Sequence, residues 1–594
     1  MNLLRGVTAA SAWWHVPILL ATLVLALRFS EHFYSSAIGV DYALFMPRLL
    51  DGYFWFRNNG ISPQWYTPSF CGGMVAYADA QSMYYSVFQL LTIPFGPRHA
   101  IFSGVILYAF AGGVGMMYLM RIGFSTSPFA AALGGVLFMS SGFLWARAMA
   151  GHLTWVEFML VPLITALLVR PRLFGTRYFG SVLAGLLLAS FVYGGAILAI
   201  PPALVAIALL IALSVSWRLD VDWREIFICG AIAGGVALLT SASKLVAVLA
   251  FVQNFPRTYY LLPGFDSVFS LLGALARSLF TISFAESDEF GRGIMNNSVP
   301  IAIREEWDFS ISVLPPVLIL LAVLANHARS VRRSFVHHDR VKTNAAIVAT
   351  ALLLAPILVN FYSAGWNHFM KSLPILDSMS SLVRFWAVYI PAIIAVSMAM
   401  ADKAGVFAKL PVKLAMLTLV LLWAGTRDWD GGISLGYDPR GIDQAFLDTK
   451  AGRKTPGIEN VGVFVDETGN AFSPVGRDDV MAVNVSQLRC YQPQFGYYLE
   501  RFPVAGLVGG SIYAEKNGFL NMKNPACYTE GAANHCEPGA HFKVSEIGSA
   551  RALAQFRSYA PSVSLKQRFA NVLSLITVLG TLAWLVRAIW RRAR

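Results

Sequence analysis

Long apolar runs separated by polar loops dominate the chain up to about residue 426, and one more run lies near its end. A helix that crosses the hydrocarbon core of a bilayer needs about 20 consecutive, mostly apolar residues. The sequence therefore predicts an all-α polytopic membrane protein. Its membrane-spanning helices, about twelve in number, are predicted near residues 13–28, 99–120, 128–146, 152–169, 178–193, 195–216, 226–250, 309–326, 344–361, 385–401, 410–426 and 567–589.

The positions of Lys and Arg predict how these helices are oriented. Both residues are enriched in the cytoplasmic loops of membrane proteins. With the N-terminus in the cytoplasm, every second loop falls on a basic segment, such as residues 170–177 and 329–342. We therefore expect a bacterial inner-membrane protein with both termini cytoplasmic and its long polar loops periplasmic.

Composition agrees with a membrane protein. Apolar residues make up 56% of the chain and charged residues 13%, with a mean hydropathy of +0.57. Soluble domains average roughly 25% charged residues. The net charge of +13 is explained by the basic cytoplasmic loops, so it does not call for a nucleic-acid partner, and membrane lipids are the expected surroundings.

The polar segments divide the chain. Three units are predicted: a transmembrane domain of residues 1–426 with outer loops 29–98 and 251–308, an extracytoplasmic domain of residues 427–566, and a final helix with a basic tail, residues 567–594. Runs of β-forming residues at 462–465 and 480–485, with turn residues between them, indicate that the middle unit has a small α+β fold.

The cysteines of the outer segments fit an oxidising compartment. Cys527 and Cys536 lie nine residues apart in a loop rich in Pro, Gly and Asn, and a disulfide between them is expected. For Cys71 and Cys490 the sequence leaves free and paired states open.

Asp41 is the first candidate for chemistry. It lies about a dozen residues past the first predicted span. Apolar residues between 44 and 54 then recur at helical spacing, while Arg48, Asp51 and Arg57 mark a wet side. This pattern is typical of a helix that lies along the bilayer surface, and it would hold Asp41 where lipid headgroups meet water. A solvated loop carboxylate is the alternative.

Asp79 is the second candidate. It follows a stretch with Pro68, Gly72 and Gly73 and precedes an apolar run at 84–91. The carboxylate could serve in catalysis, or it could cap the helix that begins there.

Several stretches of sequence resemble a known family. An Asp in the first outer loop, two interfacial helices and many spans are similar to the GT-C superfamily of glycosyltransferases. Within it, residues 65–91, 151–155, 305–309 and 373–385 resemble the YfhO-like family. Ala80 stands where that family is expected to have proline, and a single arginine stands at 384 where two are common. Residues 427–566 resemble no family that we can name.

The resemblance implies an activity. Enzymes of this superfamily take a sugar from a polyprenyl phosphate and pass it to an acceptor, here a glycan or lipid-linked acceptor of the cell envelope. Asp41 would be the general base, because an acceptor hydroxyl needs a carboxylate within hydrogen-bond reach. Arginine suits the leaving phosphate because its planar fork matches phosphate oxygens. Arg384 is the first choice for this role, although it could instead be an interfacial arginine, and the other candidates are Arg57, Arg257 and Arg304.

Further polar residues of the outer segments are candidates for substrate binding. They are His152, Glu157, Glu305, Glu306, Asp308 and His368. The three acidic residues between 305 and 308 could bind sugar hydroxyls or a divalent ion such as Mg or Mn, or they could form a solvated acidic loop. The sequence names no cofactor with certainty.

Two other functions remain open from the sequence. A transporter or flippase for lipid-linked glycans is one, although no pair of related halves is evident. A non-catalytic envelope scaffold is the other, with residues 427–566 as its partner-binding module. No P-loop, dinucleotide fingerprint or H-E-x-x-H pattern occurs, which disfavours an ATP-driven or redox pump.

Overall fold

The protein is a predominantly helical membrane protein in a computed structural model. The structure describes residues 15–172, 176–217, 223–254, 262, 264–265, 267–280, 304–330, 340–373, 376–379, 381–427, 429, 435–462, 464–465, 471–472, 478–488 and 506–593. Its α-helices are α1 (Val16–Phe33), α2 (Tyr42–Asn59), α3 (Val87–Phe95), α4 (Pro97–Gly123), α5 (Pro128–Met139), α6 (Gly142–Ala150), α7 (Val161–Val169), α8 (Phe179–Tyr193), α9 (Ile200–Trp217), α10 (Trp223–Asn254), α11 (Val268–Phe280), α12 (Arg304–Trp307), α13 (Leu314–Ser330), α14 (Arg340–Leu358), α15 (Ala364–Lys371), α16 (Tyr389–Lys403), α17 (Leu410–Thr426), α18 (Arg440–Lys450), α19 (Cys527–Asn534), α20 (Ile547–Ala554) and α21 (Leu565–Ala593). Short 3₁₀ helices cover Leu153–Leu160, Ile197–Ala199, Leu376–Ser378, Val383–Val388, Asp478–Val483 and Val544–Glu546.

Each predicted span coincides with an apolar helix, but not all of these helices are long. Among the described residues, eight helical stretches are long and apolar enough to cross a membrane: Val16–Phe33, Pro97–Gly123, Pro128–Ala150, Ile197–Trp217, Trp223–Asn254, Val341–Leu358, Val383–Lys403 and Leu565–Arg591. Four other predicted spans are shorter apolar helices: Leu153–Val169, Phe179–Tyr193, Leu314–Ala325 and Leu410–Thr426. Membrane character is therefore clear, whereas the number of twelve spans stays a prediction.

The predicted span at 128–146 is interrupted in the structure, and the hydropathy of the sequence does not indicate this interruption. Helix α5 ends at Met139, and α6 begins at Gly142, after Ser140 and Ser141. The amide of Gly142 donates a hydrogen bond of 2.8 Å to the carbonyl of Ser310 instead of continuing the helix. The segment that contains Ser310 contacts the chain at this interruption. Because the contact joins parts of the chain that are distant in sequence, hydropathy cannot predict it.

Helix α2 differs from the predicted surface helix. Most of its residues are buried, including Asp51, and the Arg48 side chain is nearly so. The helical pattern instead predicts that both residues lie on the solvent-exposed side of the helix. That side is covered by the polar segment near the C-terminus, since Asp478 lies 3.9 Å from the Arg48 guanidinium. The periodic pattern was correct, but the covering segment comes from a distant part of the sequence.

The strands are short and lie mostly in the C-terminal polar segment. They are β1 (Ile38–Gly39), β2 (Tyr66–Thr67), β3 (Met74–Val75), β4 (Leu435–Tyr437), β5 (Asn460–Val461), β6 (Phe464–Val465), β7 (Ala471–Phe472), β8 (Val485–Ser486), β9 (Gly510–Ser511), β10 (Glu515–Lys516), β11 (Phe519–Lys523) and β12 (His541–Lys543). Strand β5 lies between β8, which is parallel to it, and β9, which is antiparallel. The predicted strand at 480–485 is mostly a 3₁₀ helix, and the chain enters β8 only at Val485.

The C-terminal polar segment contacts the first polar loop closely. The amide of Lys523 donates to the carbonyl of Gly72 at 2.8 Å, and the Gly72 amide donates to Ser486 Oγ at 2.9 Å. The rings of Phe446 and Tyr53 lie 4.7 Å apart. One continuous apolar cluster includes residues of the membrane helices and of this segment. A disulfide joins Cys527 to Cys536, and Cys71 is also disulfide-bonded. The boundary at residue 427 remains a prediction.

Candidate active site

Asp41 stands at the N-terminal end of α2. Its backbone amide donates to the carbonyl of Ala150 at 3.1 Å, and the Tyr42 hydroxyl donates to the carbonyl of Ala148. The side chain makes no capping hydrogen bond to its own helix. The carboxylate is therefore not used as a helix cap and can contact other groups.

Two glycines allow the Asp41 segment to approach the turn after α6. Gly151 has a φ of +101°, and a Cβ there would lie 2.6 Å from the Tyr42 nitrogen and 3.1 Å from the Asp41 Cβ. A Cβ on Gly39 would collide with the carbonyl of Met149. Any larger residue at either position would push the two segments apart.

His152 contacts Asp41 directly. Its Nε2 lies 2.6 Å from Asp41 Oδ2, with the histidine side chain 17% exposed and the aspartate side chain 37% exposed. Both residues are candidates by residue type and position, but the sequence does not predict that they form a pair.

Glu306 and Arg384 form the second pair. Arg384 Nε donates to Glu306 Oε2 at 2.9 Å, and Arg384 Nη2 donates to Glu306 Oε1, so the guanidinium holds the carboxylate with two parallel bonds. Arg147 Nη2 lies 3.9 Å from the same carboxylate. Both guanidiniums lie near the ring of Trp155, at 5.0 Å for Arg384 and 5.6 Å for Arg147. Such planar cation–ring contacts fix the orientation of arginine side chains.

The two pairs belong to one group of charged side chains. Burial raises the pKa of the Glu306 carboxyl, but the nearby positive charges of Arg384, Arg147 and His152 outweigh it and hold that pKa well below its usual range. His152 therefore lies within electrostatic range of Glu306 while contacting Asp41. We call Asp41, His152, Glu306, Arg384 and Arg147 the Asp41–Arg384 group.

Asp79 lies in a separate group around Arg48. Arg48 Nη1 donates to Asp79 Oδ2 at 2.9 Å, and Asp79 Oδ1 accepts from the Gln81 amide at 2.8 Å. Arg48 is two helical turns beyond Asp41, which is about 10 Å along the helix axis. The structure thus gives Asp79 an ion-pairing role, and the predicted second catalytic carboxylate is not brought into the Asp41–Arg384 group.

The same Arg48 region contains two further buried carboxylates. Asp51 accepts hydrogen bonds from Gln64 at 2.5 Å, from Thr67 at 2.6 Å and from Ser69. Burial raises the pKa of Asp51 to about 6, although these bonds oppose it. Burial also raises the pKa of Asp478 to about 7, with Arg48 opposing it.

Asp308 is a buried carboxylate that forms an ion pair with an arginine. It is fully buried, Arg427 Nη2 donates to its Oδ2 at 2.9 Å, and Ser310 Oγ donates to its Oδ1 at 2.7 Å. Glu306 is likewise held by two arginines. These two residues therefore do not form the solvated or sugar-binding acidic loop that the sequence left open, because cations from distant helices neutralise them.

The remaining predicted residues lie elsewhere. Arg57, at the other end of α2, donates to the carbonyl of Thr449 and ties α2 to α18. Glu157 is fully buried against Tyr108, whose hydroxyl lies 3.4 Å from Glu157 Oε1. His368 is exposed on α15. Arg257 lies outside the described residues, and only the backbone of Arg304 and Glu305 is described, in α12. Among the described side chains of this set, those of Arg57, Glu157 and His368, none is brought into the Asp41–Arg384 group.

Sequence reasoning missed two arginines. Arg147 is buried in the apolar stretch Pro128–Ala150, one residue beyond the third predicted span of 128–146, and Arg427 follows the eleventh predicted span. Ionisable residues within membrane segments are rare and mark functional or paired positions. That rule could have identified Arg147, whereas nothing in the sequence identified its partner.

A metal site does not fit these residues. Within the part of the chain that the structure describes, no group of three or more His, Cys, Asp or Glu side chains is placed to hold a metal ion. The Asp41–Arg384 group is also rich in guanidinium, which repels cations. No step of the proposed chemistry is therefore assigned to Mg or Mn.

Comparisons with known proteins found few similarities. No family model matches the chain, and no curated protein matches it. Among solved structures, a cryo-EM structure of a mutant arabinofuranosyltransferase AftD from Mycobacteria, class 2, has a TM-score of 0.40 and 16% identity over 80% of this chain. Class 1 of the same protein has a TM-score of 0.34 and 18% identity. The chain spans 33% of the length of either AftD chain.

Proposed function

We propose that the protein is a membrane glycosyltransferase of the GT-C type. It moves a sugar from a polyprenyl-phosphate donor to a glycan or lipid-linked acceptor of the cell envelope, at the outer face of a bacterial inner membrane. The observation that supports the proposal is that contacts connect Asp41 with Arg384. His152 contacts Asp41, and its amide donates to the carbonyl of Arg147 at 2.8 Å. The Arg147 guanidinium lies 3.9 Å from the Glu306 carboxylate that holds Arg384.

The proposed step is a displacement at the anomeric carbon. The acceptor hydroxyl oxygen forms the new bond to that carbon, and the bond from the carbon to the phosphate oxygen breaks. The electron pair of the broken bond leaves with the polyprenyl phosphate. Asp41 takes the hydroxyl proton and later returns it to solvent, which is the role of a general base. Its side chain is the most accessible of the pair it forms with His152.

The arginines supply the positive charge that the leaving phosphate needs. Charge that develops during a reaction is stabilised best by groups fixed beforehand. Glu306 holds the Arg384 fork, and Trp155 lies against both Arg384 and Arg147. In this proposal the donor phosphate binds beside Arg384, and Glu306 keeps the guanidinium in place before the donor arrives.

An Asp41→Asn variant tests the proposal. Purified protein is mixed with a panel of undecaprenyl-phosphate pentoses and hexoses and with envelope lipid extract, and release of undecaprenyl phosphate is measured. We expect turnover by the wild type and a loss of about 10²- to 10⁴-fold in the variant. The matched control is Asp438→Asn, since Asp438 is an exposed carboxylate paired with Arg440.

Other outcomes point to the alternative functions. Equal turnover in Asp41→Asn and wild type would reject Asp41 as the base. No release of undecaprenyl phosphate, with lipid-linked sugar instead exchanged between leaflets of proteoliposomes, would favour a flippase. Absence of both activities, with an unchanged envelope phenotype in an Arg384→Ala strain, would favour a scaffold.

A further inference from the structure

We infer that His152 is the positioning residue of Asp41: it holds Oδ2 of the carboxylate and leaves Oδ1 to accept the proton of the acceptor hydroxyl. This inference rests on the proposed function, because it assigns a task to a neighbour of the proposed base. It replaces the role of sugar ligand that the sequence suggested for His152.

The hydrogen-bond direction follows from the chemistry of the two groups. An ionised carboxylate can only accept hydrogen bonds. A contact of 2.6 Å between His152 Nε2 and Asp41 Oδ2 therefore requires the proton on Nε2. One ring nitrogen is thus committed to the aspartate, and the same nitrogen cannot also recognise a sugar hydroxyl.

The relative exposure of the two side chains gives the arrangement a direction. The carboxylate is the more exposed partner, at 37%, and the imidazole is the more buried one, at 17%. The ring therefore stands behind the carboxylate as seen from solvent. A substrate that approaches from solvent therefore contacts Asp41 before His152. This order fits Asp41 as the base and His152 as the residue that positions it.

The backbone fixes both residues to the same turn. The amides of Gly151 and His152 both donate to the carbonyl of Arg147, at 2.9 Å and 2.8 Å, and the Asp41 amide donates to Ala150. The positive φ of Gly151 lets the chain reverse at this point. Neither residue can shift without breaking these bonds, so the ring and the carboxylate are held in register.

The same ring connects the base to the charges proposed for the leaving group. Asp41 on α2 is the carboxylate that contacts the His152 ring. Glu306 on α12, which Arg384 and Arg147 hold, lies within electrostatic range of the same ring. The Nε2–H group holds one oxygen of the Asp41 carboxylate, which limits the rotation of that carboxylate.

Two polar substitutions at His152 distinguish the need for a hydrogen-bond donor at the place of Nε2 from a need for any polar side chain. The side-chain amide nitrogen of glutamine can reach the place of Nε2, whereas that of asparagine reaches only the place of Nδ1. We therefore compare His152→Gln with His152→Asn, and add His152→Phe to keep the ring shape without the donor. The control is His535→Gln, an exposed histidine at the end of α19.

The readouts are the turnover number and the KM for the donor, with undecaprenyl-phosphate sugars as the probe. We expect His152→Asn and His152→Phe to lower turnover about 10- to 100-fold, the range that misplacement of a catalytic group produces. We expect the donor KM to change less than about threefold, and His152→Gln to recover most of the loss.

Further variants distinguish a positioning role of His152 from a sugar-binding role. They also test this inference separately from the proposed function. In the double variant Asp41→Asn with His152→Phe, turnover should equal that of Asp41→Asn alone, because the histidine acts through the aspartate. If the losses of turnover in the two single variants instead multiply in the double variant, the positioning role is wrong. It is also wrong if the variants at His152 raise the KM for the acceptor and leave turnover unchanged. Inactive Asp41→Asn with fully active His152→Phe would reject this inference and keep the proposed function. Active Asp41→Asn would reject both.

Discussion

Arg427 and Asp308 form an ion pair that joins the end of α17 to the chain just after α12. The atoms Nη2 and Oδ2 lie 2.9 Å apart, and the two side chains are 4% and 1% exposed. Asp308 is two residues from Glu306, which holds Arg384. The pair therefore connects the beginning of the C-terminal polar segment to the residues that carry the proposed phosphate site.

Breaking this pair should cost much more stability than breaking an exposed one. Removing one partner of a buried pair leaves an uncompensated charge and costs about 3–5 kcal/mol. We expect that loss for Arg427→Met, measured by denaturant unfolding in detergent. For Arg440→Met, whose partner Asp438 is also exposed, we expect a much smaller loss of stability, because water screens an exposed pair. Similar small losses in both variants would contradict a structural role for Arg427.

The double variant Arg427→Met with Asp308→Leu adds a second check. Replacing both members of a buried pair with apolar residues removes the unpaired charge. Stability should then return most of the way to that of the wild type, even if turnover does not. A loss in the double variant as large as the sum of the single losses would show that the two side chains do not act as a pair.

Gly151→Ala should damage activity more than its effect on stability explains. The added Cβ would lie 2.6 Å from the Tyr42 nitrogen and would push the Asp41 segment away from His152. A misplacement of about 1 Å costs about 10²-fold in rate. The control is Gly60→Ala, which also has a positive φ, of +62°, but has open space around the position of its Cβ. Both should lose about 1 kcal/mol or more of stability, and only Gly151→Ala should lose turnover. Equal turnover in the two variants would count against the close approach.

Arg384→Lys should weaken donor binding while leaving the protein folded. Lysine keeps the charge but cannot make the two parallel bonds of the guanidinium fork. Loss of one charge-assisted hydrogen bond costs about 1.5–3 kcal/mol, so we expect the donor KM to rise about tenfold or more. Arg453→Lys, which changes an exposed pair with Asp448, should leave the KM unchanged. An unchanged turnover together with an unchanged donor KM would place Arg384 outside the phosphate site.

The carboxylates around Arg48 should make stability depend on pH. The pKa of Asp478 is raised from 3.8 to about 7, chiefly by burial, so the folded state binds its proton more tightly than the unfolded state does. The stabilising contribution is therefore full below about pH 4 and is lost as pH rises through about 7. Asp51, with its pKa raised to about 6, acts in the same direction.

An Asp478→Asn variant isolates this contribution. We expect the difference in unfolding midpoint between variant and wild type to change in favour of the variant as pH rises from about 4 to about 7. Asp438→Asn is the control, because that carboxylate is exposed. A difference that stays constant across this range would show that Asp478 titrates normally in the folded protein.

Several features of this protein could be predicted from the sequence. Hydropathy placed the apolar helices, because about 20 consecutive apolar residues have few stable alternatives to a membrane helix. The helical spacing after Asp41 predicted α2, and the residue types at 41, 152 and 384 identified side chains that the structure then placed in one group. These are local signals, since each depends on residue type and spacing within a few turns of chain.

The choice of partners depended on the tertiary structure. Asp41 and Asp79 are the first and second catalytic candidates from the sequence, yet Arg48 pairs with Asp79 and His152 with Asp41. In the sequence, Glu306 and Asp308 form one acidic cluster. In the structure, each pairs with an arginine from a distant segment, Arg384 at 78 residues and Arg427 at 119 residues. An isolated sequence shows which side chains can be charged. Which of them neutralise one another is decided by long-range packing, because a buried charge is stable only beside its counter-charge.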